Sequence, residues 1–332
     1  MRSDGLLDLQ VNGYAGVDFN DAALTADALD HALHAMMQAG VTQCLPTLIT
    51  ATADQLAERF AALDAAVAGS RLGPLMVAGY HLEGPFLNPA QGFAGCHPPG
   101  AMIAPDIGLV ERLMAPLRRP LRLLTLAAEL PGAEELIRWA SACGIVVAIG
   151  HSDARADVVA RAAAAGARMS THLGNGLPQV MHKLDNPIIA QLAEDRLVAG
   201  FIADGIHLPV AALRVMVRAK GPGRAVLVTD AVAAAGAPPG RYGFAGMEIV
   251  GGADGSARTP DTGSLAGSAL TLDRAVRNIA AWGITDAAGA VAMASAAPAA
   301  VLGIGLTGAV EWTDDLQVRA SRVGDVVYRR AE

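Results

Sequence analysis

A closed (β/α)8 barrel of parallel strands, carrying a small β appendage, is the α/β fold that this sequence predicts. Three observations lead there. Eight short apolar runs, each of a length suited to a strand buried on both faces, recur between residues 6 and 228, and helical patterns lie between most of them. That span fits the ~250 residues typical of a closed barrel. Polar residues follow the runs at Gln10, Asn12, Glu83, Glu129, His151, His172, Asp204, His207 and Asp230. A barrel gathers all of these at one mouth, whereas the alternative, a doubly wound open sheet, spreads them along an edge.

The first run is residues 6–11, broken by Asn12-Gly13. A helix over 25–39 follows, because Leu29, Leu33, Met36 and Met37 share one face and Gly40 stops it. The strand at 42–49 leads into a helix opening on Thr52-x-x-Gln55, the spacing of a capping box. Residues 75–80 form the third run and end beside His81-Leu82-Glu83-Gly84-Pro85-Phe86. Further strands are expected at 121–127, 145–149, 168–171, 197–202 and 225–228, with helices at 133–142, 154–165, 188–193 and 210–219. Beyond Asp230 the rhythm changes. Residues 233–262 are rich in Gly and Pro around one short strand, 247–250, and read as a β excursion. Helices return at 269–281 and 287–302, and 316–328 reads as a hairpin turning at Gly324-Asp325. The expected organisation is a barrel over 4–305 and, over 306–332, the hairpin of a reduced small domain.

A chain of 332 residues that is 52% hydrophobic can bury a large core. The net charge of -7, with no Lys/Arg cluster, argues against nucleic acid or an anionic membrane as the main partner and leaves a small molecule. No apolar run approaches the ~20 residues of a bilayer span, and no leader-like segment opens the chain, so a cytoplasmic location is expected. Three cysteines, Cys44, Cys96 and Cys143, without CxxC spacing, do not suggest a disulfide framework.

Glu83 at the end of an apolar run needs a partner, because an unpaired buried charge is costly. His151 and His172 close runs of the same kind. One carboxylate and two imidazoles at three strand ends form a plausible ligand set for a catalytic divalent metal with a position open to water. A lone His after a strand is more often a hydrogen-bonded structural residue, so the weight rests on the three positions together with Asp230. Asp230 could instead cap a helix, but 231–240 carries no strong helix signal. A carboxylate beside an activated water can take its proton and pass it to a leaving group, as hydrolysis of an unactivated amide requires. His97 and His207 lie on loops, where binding groups concentrate. Lys183 offers a point charge to an anionic substrate or is simply solvated. Asn175-Gly176 and Leu265-Ala266-Gly267 offer hydrogen-bonding groups or are ordinary turns.

Taken together, Asp8-Leu9-Gln10-Val11-Asn12-Gly13, Leu45-Pro46-Thr47-Leu48-Ile49-Thr50, His81 to Phe86, Gly150-His151-Ser152, Thr171-His172-Leu173-x-Asn175, Ile202-Ala203-Asp204-Gly205-x-His207, Val228-Thr229-Asp230-Ala231 and Leu265-Ala266-Gly267-Ser268-Ala269-Leu270-Thr271 run in one order across nearly the whole chain. In this the sequence resembles the N-acetylglucosamine-6-phosphate deacetylase family of the amidohydrolase superfamily. The resemblance implies a distorted barrel of the amidohydrolase type, a homodimer, and hydrolysis of N-acetylglucosamine 6-phosphate to glucosamine 6-phosphate and acetate. It implies one divalent ion on Glu83, His151 and His172, with zinc expected and iron or another divalent ion as the alternatives. It makes Asp230 the general acid/base and places His97 at the reacting carbonyl, with His207 and Lys183 near the sugar and its phosphate. Cys96, His97, Asn175, Gly176, Asp204, Gly205, Ile206, His207, Leu265, Ala266 and Gly267 would line the substrate site. Where many amidohydrolases carry His-x-His and bind two metals, this chain has Gln10 and Asn12, and amides are poor metal ligands.

Three departures from the family pattern stand out. Few residues precede the first barrel strand, so the family's N-terminal sandwich segment is expected to be missing or reduced to the excursion and the C-terminal hairpin. Lys183 stands where the family commonly has an arginine, losing the bidentate fork. The loop over residues 88–97 is longer, and Gly174 and Gly176 replace larger residues. The competing readings are another amidohydrolase activity, on a cyclic amide, a dipeptide or a deaminated ring, and a non-catalytic sugar-binding relative.

Overall fold

Eight strands form one parallel sheet in sequence order: β1 (Leu6–Val11), β2 (Val41–Ile49), β3 (Tyr80–Glu83), β4 (Leu121–Leu126), β5 (Val146–Ile149), β6 (Met169–Ser170), β7 (Val198–Phe201) and β8 (Ala225–Leu227). The computed structural model describes residues 1–221 and 223–331. β1, β2 and β3 are buried at every position, as strands walled by side chains on one face and helices on the other must be. Each fully buried Leu in them, such as Leu9, Leu45 or Leu82, contributes about 1.5–3 kcal/mol relative to exposure.

The barrel is nearly closed, and it closes at its mouth. β8 ends too early to pair with β1 along its length. Instead Asp230 N donates to Gln10 O at 2.9 Å and Asn12 N to Ala231 O at 2.7 Å, with Val11 and Ala231 forming a parallel bridge. The residues that lock the seam are therefore neighbours of the candidate acid.

An outer helix follows every barrel strand. Ala26–Gln38 is capped by Thr25, whose side chain accepts from Ala28 N, and Ala53–Gly69 opens on the expected Thr52/Gln55 capping box. Ile107–Met114, capped by Asp106, was not expected from the sequence; it is a short helix set after a long irregular loop. The third predicted strand is displaced. Gly73–Met76 is a helical turn with Pro74 in its first positions, and the strand begins only at Tyr80. Glu83 is consequently the last residue of β3 rather than a residue beyond it. The expected helix at 287–302 is two, Ala287–Met293 and Ala296–Leu302, broken at Ala294-Ser295 with Pro298 inside the second.

Two four-stranded antiparallel sheets flank the barrel. One joins Arg2–Asp4, Ala309–Trp312, Val318–Val323 and Val326–Arg329, so the residues before β1 do supply a strand. The last two of these strands form the expected hairpin. The other sheet is the excursion after β8: Gly240–Phe244, Met247–Gly251, Ser256–Arg258 and Leu265–Ser268. Leu265-Ala266-Gly267 is thus strand and not turn.

Candidate active site

Glu83 ends β3 only 2% exposed, with its carboxylate aimed into the barrel mouth. His151 and His172 follow β5 and β6, and Asp230 follows β8. All three have positive φ, at 51°, 25° and 50°. That left-handed conformation costs a non-glycine residue on the order of 1–3 kcal/mol and persists only where its surroundings hold it. For Asp230 the hold is visible on both sides, through its N to Gln10 O and through Ser268 N to its O at 2.8 Å.

The imidazole tautomers follow from their partners. His151 Nδ1 lies 2.6 Å from Phe93 O, which can only accept, so Nδ1 carries the proton and Nε2 presents a bare lone pair. Buried Nε2 has no hydrogen-bond partner among the described residues, and it faces Glu83 Oε1 at 3.3 Å. Two acceptors face to face in a buried site repel unless a cation or a proton joins them. His172 Nε2 lies 3.0 Å from the same oxygen, and His97 Nε2 lies 3.9 Å from Glu83 Oε2. Ligand atoms of Glu83, His97 and His151 all fall within 4.8 Å of one another. The donor set of carboxylate oxygen and imidazole nitrogen fits a borderline divalent ion. The compact group is thus Glu83, His97 and His151, with His97 where His172 was expected; His172 reaches Glu83 Oε1 with its Nε2 but lies outside that group. Gly176, at φ 63°, lets its loop lie against His151; a Cβ there would come 2.6 Å from Nδ1.

Electrostatics separates the two carboxylates. Burial alone would raise Glu83, but the imidazoles around it, led by the His172 hydrogen bond and charge, outweigh burial and hold it well below the ordinary range. Asp230 is raised to about 6 by burial and by the charge of Glu83, against the opposing pull of His172, His207 and Asn12. Burial lowers His97 to about 3, helped by His151. His172 goes the other way, to about 9, because its hydrogen bond and attraction to Glu83 overcome its burial.

Supporting these groups is a layer that the sequence reading left largely unassigned. Gln10 Nε2 donates to Glu83 Oε2 at 3.0 Å and to Asp230 Oδ1 at 3.1 Å, while Asn12 Nδ2 donates to Asp230 Oδ1 at 2.7 Å. The two amides tie both acids together. Their signal was the alternation of Asp8 and Gln10 on one face of β1, continued by Asn12 just past its end. His81, held between Thr47 and Thr125 at 3.1 and 2.8 Å, is lowered to about 4, mainly by burial, and is a neutral spacer beneath Glu83. Glu129 proves to be a loop anchor, accepting from Asn88 Nδ2 at 2.8 Å and Asp153 N at 2.7 Å.

A cavity of about 890 Å³ opens over the site. Its wall includes Glu83, Cys96, His97, His151, His172, Asn175, Gly176, His207, Asp230, Leu265 and Gly267 from the expected set. Asp204 stands behind the wall, where its Oδ2 accepts from His207 Nδ1 at 2.6 Å and fixes that ring; burial would raise Asp204, but the bond and charge of His207 lower it. Ala266 is fully buried, Lys183 and Gly205 are exposed and Ile206 half-buried, and all four lie outside the cavity wall.

The chain is 36% identical over 306 residues to the N-acetylgalactosamine-6-phosphate deacetylase of Shewanella sp. strain ANA-3, covering 89% of this chain and 72% of that protein. To the N-acetylglucosamine-6-phosphate deacetylase of Bos taurus it is 34% identical over 310 residues, 90% of this chain and 74% of that one. Among solved structures, a mutant N-acetyl-D-glucosamine-6-phosphate deacetylase from Mycobacterium smegmatis in complex with N-acetyl-D-glucosamine-6-phosphate superposes with a TM-score of 0.88 at 30% identity, over 97% of this chain and 85% of that one. No family model matches the chain. At these identities, over most of both lengths and with the same barrel, the chain belongs to the N-acetylglucosamine- and N-acetylgalactosamine-6-phosphate deacetylase family, whose members are metal-dependent hydrolases.

Proposed function

We propose that this protein hydrolyses the acetamide of an N-acetyl amino sugar 6-phosphate, N-acetylglucosamine 6-phosphate first, releasing acetate. The observation that carries the reading is the Gln10 amide spanning Glu83 and Asp230, which sets a proton-exchanging carboxyl beside the imidazole-rich cluster. In this reading Glu83, His151 and His172 hold one divalent ion, with zinc favoured by the donor chemistry. When bound, the ion polarises the acetamide carbonyl and makes a water more acidic. Asp230 takes a proton from the attacking water and returns it to the departing sugar nitrogen. Burial raises that carboxyl from the ordinary carboxylate range, the direction that favours taking up a proton before passing it on. Asn12 and Gln10 occupy one oxygen of Asp230 and leave the other for the proton. Thr50 Oγ1 donates to Glu83 O at 3.3 Å and lies 2.9 Å from His97 Nδ1, which fixes the His97 ring beside the place of the substrate carbonyl. Cys96, Asn175, Gly176, His207, Leu265 and Gly267 contact the sugar, and Asp204 acts through His207.

The galactosamine epimer is a second reading, favoured by the two relatives of that name at 36% and 37% identity. The test is acetate release from both phosphorylated epimers, scored against ammonia release and ring opening on cyclic amides. Absence of acetate from either epimer with the metal-loaded protein sinks the proposal. A homodimer goes with this reading, supported by Val180, Leu184 and Ile189, 89%, 68% and 46% exposed, next to the cavity wall at Gly176 to Gln179. No described helix is long and apolar enough to cross a membrane. A phosphorylated sugar does not cross a bilayer unaided, so action in the cytoplasm goes with this substrate.

A further inference from the structure

The backbone of Asp230, at φ 50°, lies between two peptide groups, one entering its Cα and one leaving it. A peptide group is planar, so gripping it at both ends fixes its orientation, and two fixed planes fix φ and ψ of the residue between them. Asp230 meets that condition. The entering peptide is held at Asp230 N, which donates to Gln10 O at 2.9 Å, and at Thr229 O, which accepts from Ser268 Oγ at 2.6 Å. The leaving peptide is held at Asp230 O, which accepts from Ser268 N at 2.8 Å, and at Ala231 N, which donates to Thr229 Oγ1 at 3.1 Å. Ser268 O then accepts from Val232 N at 3.0 Å, and Ser268 Oγ from Leu270 N at 3.0 Å. One serine thus grips the chain on both sides of the candidate acid, and its hydroxyl is the part of that grip that a substitution can delete.

Ser268 is fully buried and ends the strand Leu265–Ser268 of the excursion sheet. Glycine permits the close approach: Gly267 has φ 61°, and a Cβ there would lie 2.4 Å from Val232 Cγ1 and 2.9 Å from Asp230 O. Leu265 and Gly267 line the cavity, so the strand that walls it also carries the strut behind the acid. We infer that Ser268 is a positioning residue for Asp230, its hydroxyl orienting the peptide that leads into the acid and so the line along which the carboxyl exchanges its proton. Gln10 and Asn12 steer the side chain from the barrel, and Ser268 steers the backbone from the excursion. Without the hydroxyl, Thr229 O loses this donor in a buried place, and the peptide turns to find another, carrying Asp230 N with it. This rests on the acid–base reading of Asp230 given above.

The experiment is steady-state acetate release from both phosphorylated epimers by the metal-loaded full chain and by Ser268→Ala, Ser321→Ala, Asp230→Asn and the double variant Ser268→Ala/Asp230→Asn, with metal content and Tm measured on each. Ser321 is the matched control: it is 1% exposed in the other antiparallel sheet, outside the cavity wall, and its Oγ donates to Met37 O at the same 2.6 Å. Ser268→Ala should lower kcat about tenfold with KM and metal content unchanged, the loss expected of a misaimed group, while Ser321→Ala gives up a similar Tm and keeps its kcat. A hydroxyl that acts through the acid has nothing to align once the acid is gone, so the double variant should turn over as fast as Asp230→Asn alone. Should Ser268→Ala fail to fold, Ser268→Cys, which keeps the shape and weakens the donor, carries the same comparison. Equal kcat in the Ser268 and Ser321 variants, or a further tenfold loss in the double variant, overturns the inference and leaves the deacetylase reading standing. Near-normal turnover by Asp230→Asn, or no acetate from the wild type with either epimer, brings down the inference together with the reading it rests on.

Discussion

Asp230 is held by four contacts that do different work: Gln10 and Asn12 on one carboxylate oxygen, the β1 backbone on its amide, and Ser268 N on its carbonyl oxygen. Asp230→Asn keeps the shape and removes the exchangeable proton. It should therefore lower acetate release by 10²-fold or more, on the scale of lost general acid–base catalysis, while metal content stays at the wild-type level. Near-normal turnover would remove Asp230 from the chemistry. Asn12→Ala leaves the acid but frees its orientation, and a fall in kcat on the order of tenfold with little change in KM is expected. A change in KM alone would make Asn12 a substrate contact instead. At this scale the sequence was informative because strand-end residues announce themselves: Glu83, His151, His172 and Asp230 each follow an apolar run. It was silent about the role of Ser268 and about the exposure of Lys183. Those depend on how a Gly- and Pro-rich excursion folds back over the mouth, which no periodicity within the excursion encodes.

The seam between β1 and β8 is the element on which closure depends. Asp8 sits inside it, 1% exposed, with Oδ2 2.5 Å from Thr229 Oγ1, which in turn lies 3.2 Å from Gln10 O. Burial raises Asp8 from 3.8 to about 7 despite its hydrogen bonds to Thr229 and Gln10. Protonated, it donates to Thr229, and Thr229 donates to Gln10 O. The fold thus holds this proton more tightly than the unfolded chain does. The resulting stabilisation is complete below pH 3.8, declines as pH rises, and is gone above about 7. Asp8→Asn makes the same relay without a titrating group, so its unfolding free energy should fall less than the wild type's between those limits. Parallel pH profiles of denaturant unfolding for the two proteins would show Asp8 to be ordinary. Elements were legible where the pattern was long, as in the Thr52/Gln55 cap and the strands β2 and β4. They were misread where two signals collided. The apolar residues at 75–80 suit a strand, but Pro74 and Gly73 start a helical turn first, and the strand waits for Tyr80. Residues 2–4 are too short to predict as a strand, and they become one only because Ala309–Trp312 lies beside them.

For the whole molecule, the proposed cation on residues from β3 and from the loops that follow barrel strands would link parts of the barrel that are distant in sequence. A ligand that binds only the folded state at 100 times its Kd stabilises it by about 2.7 kcal/mol. Chelation should therefore lower Tm by several degrees and abolish acetate release together, with both restored by zinc or another divalent ion. A Tm and an activity indifferent to chelation would end the metal assignment. The division of the cavity carries a broader consequence. Groups that break the amide hang from barrel strands, whereas part of the opposite wall, including Arg258, Ser264 and Leu265, belongs to an inserted sheet with its own small core around Phe244, Ile249 and Ala257. Taste and appetite are thus separately heritable: Ser268 apart, this insert can drift toward one sugar epimer or another while the hydrolytic engine underneath stays as it is.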